Sequence, residues 1–514
     1  MQKPPVIIIG AGPTGLSLAV QLHRYGIDFI ILEKNLQTTH LSKAIVIQAR
    51  TMEIFHEVGL ATKAIELGRM TTAFNMYHNG KRKLRLDIAG LGEGMSRYPF
   101  ALSLEQSKTE KLLVDYLAEK GKQVNWGCEF THFTQDKDGV KVYYKDTNGE
   151  EHMIEGEYLV GCDGARSPVR HQSGQTFEGD TVPKLFYVTD VKLSSAVVNK
   201  DELFVFVIQR GFILFFPMEG IRPGLDSGGH YRVIGIIPDY EDDDNKIEFD
   251  DIKDILVRQL KVPLKFEEIT WFSTYKVHSR KAGSFRNDRC FIAGDAGHIH
   301  TPAGGQGMNT GIQDSYNLAW KLAFTIKFNM KDEFLETYNS ERTANAANLL
   351  RTTDRLFEAM TGANRFLNFI RINIFPLVAG LVLKNKRISR RLFPQLSMTN
   401  IDYPDSKLTI KSAVGKVKAG KQMPYHVFAD GKNTYDYLMD PCFKLLFFGK
   451  GKPNFGQMQQ SIIPFRTFSF TEIPEAFKSE TDFYVLVRPD NHVVYVGKEI
   501  EVCIDFLQRL VGFS

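Results

Sequence analysis

The stretch VIIIGAGPTGLSLAVQLHRYGIDFIILEKN, Val6 to Asn35, constrains the fold more than any other part of this 514-residue chain. Four apolar residues read as a buried strand, and Leu16 to Gly26 as an amphipathic helix that closes on glycine. Ile27 to Leu32 reads as a second strand, ending in Glu33. Between strand and helix stands Gly10-x-Gly12-x-x-Gly15. Gly10 permits the tight turn, Gly12 lets backbone approach a pyrophosphate, and Gly15 lets helix and strand pack closely. The helix start offers unpaired N–H groups and a positive dipole end to phosphates. Glu33 falls where a carboxylate accepts hydrogen bonds from a ribose diol. Strand, turn, helix, strand and terminal acid in this order point to a bound dinucleotide, NAD or FAD. No second fingerprint of this kind follows.

Two later stretches repeat the pattern of strand, acid and glycine. EYLVGCDGARSPVR, Glu157 to Arg170, places Asp163-Gly164 at a strand end with Arg166 and Arg170 behind. It fits either a ligand-facing turn or an ion-paired structural one. In RCFIAGDAGHIHTPAGGQGMNTGIQDSYNLAWKLAFTIKF, from Arg289 to Phe328, the residues Asp295, His298 and His300 are of metal-ligating type. A metal site needs three or four ligands on a rigid frame. The flanking strand and long helix favour a glycine loop that presses its backbone on a bound molecule, and no metal is expected.

The middle of the chain offers weaker candidates. Lys43, and Arg50 at the start of a helix over Ala49–Leu60, are either phosphate contacts or solvated charges. Gln106 stands before a capping box of Ser107 with Glu110, where its amide can reach a ligand over the helix start. From Thr176 to about Lys281 the texture is β-rich and aromatic. Phe204, Phe206, Phe212, Phe215 and Phe216 suit a flat apolar ligand or an ordinary sheet core.

Composition excludes several classes. With 64 basic and 60 acidic residues the charge is only +4, which gives no nucleic-acid footprint. Five cysteines without CxxC spacing fit a reducing compartment, and no secretory signal opens the chain, so a cytoplasmic location is expected. The run FLNFIRINIFPLVAGLVL, Phe366 to Leu383, is followed by KNKRISRR. Asn368, Arg371, Asn373 and Pro376 interrupt it, so it reads as a buried or interface helix and not as a membrane span.

Taken together, GAGPTG with Glu33, CDGARSPVR, and GDAGHIHTPAGGQGMNTGIQDSYNLAWKLA resemble the three fingerprints of the single-component flavoprotein aromatic hydroxylases, over residues 1 to about 400. The resemblance implies FAD as cofactor, NAD(P)H as electron donor, and O2 and a small aromatic compound as substrates. It implies a Rossmann-like α/β FAD-binding domain, residues 1–175 and 281–400, with an inserted β-rich substrate domain, 176–280, to whose sheet part of 74–105 contributes. It places Gly10, Gly12, Pro13, Thr14, Gly15, Glu33 and Lys34 at the adenosine and pyrophosphate. It puts Asp163 near the FAD and nicotinamide pyrophosphates, and Asp295 on the ribityl chain. Pro302, Gly305, Gly307, Met308 and Asn309 line the flavin ring, with Lys43, Arg50 and Gln106 at or near FAD. Lys43 stands where the family usually has arginine. Of the phenylalanines, Phe204, Phe206, Phe215 and Phe216 become the substrate wall.

The implied reaction is hydroxylation of a phenolic or polycyclic aromatic compound through a flavin C4a-hydroperoxide. The tail, residues 405–514, resembles the thioredoxin-like C-terminal domain of longer family members. Lacking CxxC, it is expected to be structural or to mediate a homodimer. Rival readings are a flavin-dependent halogenase or reductase, or a non-catalytic flavin-binding module. The halogenase WxWxIP signature is absent.

Overall fold

The computed structural model describes residues 4–39, 44–199, 201–208, 211–218, 229–237, 247–302, 304–362, 365–382, 385–456 and 461–511. Its first layer is a six-stranded sheet in the order Arg286–Asn287, Cys290–Ile292, Tyr158–Gly161, Val6–Ile9, Phe29–Glu33, Asn125–Trp126. All neighbours pair in parallel except the hairpin at the first edge. Parallel strands are covered on both faces, so they read as continuous apolar runs. Val6–Ile9 is accordingly buried at every position. The helix Pro13–Arg24 crosses this sheet and packs on the helices Gln106–Glu119 and Gly307–Phe328. The strands therefore come from three distant parts of the chain, which meet at the glycine turns.

The second layer is an eight-stranded sheet. Its order is His298–Ile299, Lys265–Ala282, Phe177–Ser194, Gly229–Ile236, Gly211–Met218, Glu202–Ile208, Ala73–His78, Lys81–Asp87. Its far edge thus comes from residues 73–87. Its near edge is the two-residue strand after Asp295, where Arg280 pairs with Ile299 and Lys281 with His298. That pairing joins the glycine loop to the eight-stranded sheet.

The alternation of side chains along these strands corrects the reading of the phenylalanines. Phe204, Phe206 and Phe215 face one side and are buried with Phe249, Ile252, Leu256 and Leu260 of the helix Phe249–Leu260. They form a core closed by that helix. Phe216 faces the other side and packs with Ile45, Val46, Val188 and Ile234. Successive residues of a strand point to opposite faces, so a cluster in sequence splits in space.

Two helical expectations change. The helix after residue 105 begins at Gln106 with Glu105 at its N-cap and makes no side-chain cap. The expected Ser107–Glu110 box is absent because both residues lie inside the first turns. The run 366–383, read as a buried or interface helix, is not the buried one: most of its described apolar side chains are exposed. It is divided into Arg365–Phe369, a π-helical turn Ile370–Ile374, and Phe375–Val382. Only Ile372 and Ala379 of it enter the core cluster on the sheet face.

The tail holds a four-stranded sheet ordered Phe465–Phe470, Phe443–Phe448, Phe483–Val487, Val493–Gly497, followed by the helix Ile500–Leu510. One side of it, with Phe443, Leu445 and Leu486, merges with the core of the first layer. The ring of Phe443 lies 5.9 Å from that of Trp320. Below this contact runs an ionic network sealed from water. Arg488 donates to Glu341 Oε1 (2.6 Å) and Oε2 (2.9 Å), and to Asp490 Oδ1 (2.9 Å) and Oδ2 (2.5 Å). Lys321 reaches Glu341 Oε2 at 2.8 Å, and all these side chains are at most 1% exposed. The tail is welded to the first layer. The cysteines are all free.

Candidate functional site

The nucleotide-binding turn is built by backbone crowding. A Cβ on Gly15 would lie 2.0 Å from the Gly10 carbonyl oxygen, so only glycine lets the helix start this close to the strand. Gly12 is the N-cap, with Pro13 at the first helical position, where a missing N–H costs nothing. A Cβ there would meet no protein atom within 4 Å, which leaves the approach to the helix start open. Glu33 Oε2 accepts from the Ala11 amide at 2.8 Å, and Oε1 from the Asn35 amide at 2.9 Å. The carboxylate is 91% buried and braced at the rim of this turn, while Lys34 beside it is exposed.

Asp163 arrives from the neighbouring strand. Its Oδ2 accepts from the Val169 amide at 3.0 Å, while Oδ1 is buried with no protein partner. Burial pushes its pKa up against the pull of Ser167 and Arg170. An unsatisfied buried acceptor costs of order 1–3 kcal/mol, so a donor on a ligand is the natural complement. Asp295 sits exposed on the 3-10 turn Gly294–Ala296. The start of the long helix closes on the same place. A Cβ on Gly311 would lie 2.3 Å from Thr14 Oγ1, and Ser315 Oγ donates to the Thr14 carbonyl at 2.7 Å. The first and third fingerprints thus meet at Thr14, and the second meets the first at Gly10, where a Cβ would lie 2.4 Å from the Cys162 carbonyl oxygen.

The loop 302–309 is held from behind. Asn309 is fully buried, and its side chain makes four hydrogen bonds: Nδ2 to the Val46 carbonyl (2.8 Å) and the Gly305 carbonyl (2.9 Å), and Oδ1 from the Gln48 amide (2.9 Å) and Thr51 Oγ1 (2.8 Å). That exhausts an amide's ordinary capacity. Asn309 therefore clamps the loop to residues 46–51, and only its backbone is left for a ligand. Gln48, which the sequence does not single out, adds a bond from Nε2 to the Gly304 carbonyl at 3.2 Å. The Gly305 amide donates to the Pro302 carbonyl at 3.2 Å, and a Cβ on Gly305 would meet Val46 at 3.1 Å. Gly307 opens the helix, and Met308 packs partly buried on the main core.

The two histidines are committed to this loop. His298 Nε2 lies 2.8 Å from Asp314 Oδ2, which also accepts from the Gly294 amide, and Asp314 Oδ1 accepts from Arg342 Nε at 2.6 Å. His300 Nδ1 donates to the Thr301 carbonyl at 2.7 Å, which leaves Nε2 as a buried acceptor without a partner. Burial lowers the His300 pKa to about 4 and keeps it neutral. The two rings do not converge with Asp295 on a common point among the described residues; the grouping of possible ligand atoms found there is Asp146, Glu150 and His152 elsewhere on the surface.

Three further candidates fall differently. Arg50 is buried. It donates to Glu53 Oε2 and to the Asp490 carbonyl, both at 3.0 Å, and lies over the ring of Tyr316. It ties the tail down. Gln106 Nε2 donates to Glu110 Oε1 at 2.8 Å. Lys43 lies outside the described residues.

Two features are new. Opposite the loop, Arg232 Nε and Nη2 donate to the two oxygens of Asp190, each at 2.7 Å, and Trp271 Nε1 donates to Asp190 Oδ2 at 2.6 Å. Arg232 Nη1 also donates to the Ala44 carbonyl at 3.0 Å, which pins the sheet to the segment that Asn309 holds. Beside Asp163, a cavity of about 960 Å³ is lined by Arg166, Arg170, His171, Lys276, His278 and Arg280, with no carboxylate among its lining residues. The Arg170 and Arg280 Nε atoms are buried without acceptors. Burial, then Arg280 and Lys276, lower the His278 pKa and keep that ring neutral.

Comparison with known proteins agrees with this geometry. Residues 3–353 match the family described as FAD binding domain. The chain is 33% identical over 416 residues to 6-methylpretetramide 4-monooxygenase of Streptomyces rimosus, 80% of this chain and 72% of that protein. It is 31% identical to pentachlorophenol 4-monooxygenase of Sphingobium chlorophenolicum, over 70% of this chain and 66% of that one. Among solved structures, OxyS anhydrotetracycline hydroxylase from Streptomyces rimosus superposes with a TM-score of 0.78 and 26% identity over the full length of both chains. The open helix start, the unpaired Asp163 oxygen and the Asn309-braced loop fit a bound FAD.

Proposed function

This chain belongs to the FAD binding domain family and is a flavin-dependent monooxygenase, and on that premise we propose that it uses NAD(P)H and O2 to place one oxygen atom on a phenolic or polycyclic aromatic compound. The observation that carries this reading is the meeting of Val46, Gly305 and the Phe216 side of the eight-stranded sheet, an apolar wall against the loop that the fingerprints build. The three relatives act, by their names, on a pretetramide, a chlorinated phenol and an anhydrotetracycline, which supports an aromatic substrate.

Bound FAD would supply the electron transfer and the oxygen activation. The chain's own residues bind and orient. Glu33 holds the ribose end, the Gly12 helix start faces the pyrophosphate, and Asp163 accepts from a donor on the cofactor. The backbone N–H groups at Gly307 and Met308 offer positive potential to a negatively charged ring edge without an obstructing side chain. Leu214, Phe216, Met218 and Tyr275 exclude water where oxygen is transferred. The carboxylate-free cavity beside Asp163 is the site we assign to the phosphates of NAD(P)H, because clustered guanidinium groups suit phosphate. A cytoplasmic location supplies that donor. The tail serves as a brace, and a homodimer formed through it remains part of the proposal.

The test is to load the protein with FAD and screen phenols and aromatic antibiotics for stimulated NAD(P)H oxidation. Product mass then shows whether one oxygen has been added. Oxidation that no aromatic compound stimulates, with hydrogen peroxide as the sole product, refutes the hydroxylase reading. Arg280→Ala should raise the KM for NAD(P)H and leave FAD affinity unchanged.

A further inference from the structure

A helix on a protein surface ordinarily turns a polar face to water. The segment Arg365–Val382 does not. Its inner side packs Ile372 and Ala379 on the sheet, while on its outer side Phe369, Ile374, Phe375, Leu377, Val378 and Leu381 are between 43% and 72% exposed. Single exposed apolar residues are ordinary, but a contiguous run of them marks a contact surface. The charge around it is one-sided. From Ala359 to Ile401 the sequence has no Asp or Glu, while Arg365, Lys384, Lys386, Arg387, Arg390 and Arg391 flank the apolar run. Arg371 is turned inward, to the Met360 carbonyl and Asn368. Without this segment the remaining chain would be slightly acidic, so its basicity is local. Arg390 and Arg391, on the next helix, Lys386–Leu396, are exposed.

We propose that this face seats on an anionic phospholipid bilayer, with the apolar side chains at the boundary of headgroups and acyl chains and the flanking cations on lipid phosphates. The combination of an apolar helical face with a basic flank is what an interfacial helix requires. None of the helices among the described residues is long and apolar enough to cross a membrane, so the contact is peripheral. A twofold contact between two copies would set the same cations against one another with no acid from this segment to meet them.

FAD-loaded protein is sedimented with vesicles of phosphatidylcholine alone and of phosphatidylcholine with phosphatidylglycerol. Roughly tenfold more protein should bind the anionic vesicles at low salt, and the difference should shrink as salt rises. The double variant Leu377→Glu, Leu381→Glu should lose this binding while keeping its flavin absorbance. Arg390→Glu with Arg391→Glu should lose the preference for anionic vesicles. Equal binding to both vesicle types, or binding to neither, overturns the proposal. So does a dimer in sedimentation velocity that the Leu377, Leu381 variant dissociates, which would give this face to a second copy.

Discussion

Replacing Arg488 with alanine tests whether the tail holds the flavin-binding layer together. The guanidinium makes four charge-assisted hydrogen bonds to Glu341 and Asp490, in a place where all three side chains are about 1% exposed. Without it, Glu341 keeps Lys321 and Asn317 at 2.8 and 2.7 Å, and Asp490 keeps His492 and a 3.3 Å contact from Trp320. Two carboxylates then share too little positive charge. Removing one partner of a buried ion pair costs about 3–5 kcal/mol. At ~2–4 °C per kcal/mol, the melting temperature should fall by roughly 6–20 °C. The flavin should come free in the same transition, because Glu341 lies on the helix next to the one that carries the glycine loop. Melting followed by flavin fluorescence and by tryptophan fluorescence reads both. The loss should also depend on pH. Burial alone would raise the Glu341 pKa, but Arg488 and Lys321 hold it well below the usual range, and Asp490 behaves likewise. Groups with depressed folded-state values contribute stability above their unfolded pKa and lose it as the pH falls. The gap between wild type and variant should therefore be widest near neutrality and close only as the pH falls well below ~4, towards the depressed values that Glu341 and Asp490 have in the folded wild type. The reasoning fails if Arg488→Ala melts within about 0.5 kcal/mol of wild type at pH 7, a loss typical of an ordinary surface change.

Glu33→Ala should weaken FAD binding by about 1–3 kcal/mol, because it removes a charged acceptor that also braces the Ala11 amide; unchanged affinity in a fluorescence titration removes Glu33 from the site. Asp314→Asn replaces the carboxylate shared by the Gly294 amide, His298 and Arg342, and should cost about 2–4 kcal/mol of stability along with flavin affinity, read by thermal melting and FAD titration. Burial raises the Glu110 pKa to about 7, so the folded protein binds that proton more tightly than the unfolded chain. Its contribution is present below about pH 4.5 and declines as the pH climbs to about 7. Glu110→Gln should flatten that decline, and an identical pH–stability profile in the two proteins would rule this out. Chelators should leave turnover intact, and stoichiometric zinc or iron lost together with activity would contradict the assignment of His298 and His300 to the loop.

What could be read in the sequence was local. The turns at Gly10, Asp163 and Asp295 are each a strand, an acid or glycine and a helix start within a few residues, and backbone geometry determines them. Partners far along the chain could not be read. Arg50, open to reading as a phosphate contact or a solvated charge, donates to the carbonyl of Asp490, 440 positions later, a partner no local pattern reveals. The alternation that separates Phe216 from Phe215 was present in the sequence as period two, yet which side faced the loop depended on the fold. Lys276, His278 and Arg280 show the same period along one strand. Their significance appears only when Arg166 and Arg170 arrive opposite, more than a hundred residues away. The missing cap at Ser107 is a matter of register, since moving the helix start by two residues turns a cap into an ordinary helical position.

The way the six-stranded sheet is assembled also determines how the protein must be born. Its first strand and helix leave the ribosome early, but the helix that covers them, Gly307–Phe328, is some three hundred residues behind. At about 5–20 residues per second, the apolar faces of Val6–Ile9 and Pro13–Arg24 wait roughly 15–60 s for that partner. Glu341 then emerges with Lys321 already made beside it but without Arg488, which follows nearly 150 positions later. A nascent chain halted between these two points would carry a glycine turn ready for its cofactor and a carboxylate shielded by Lys321 alone, and would depend on chaperones to stay soluble.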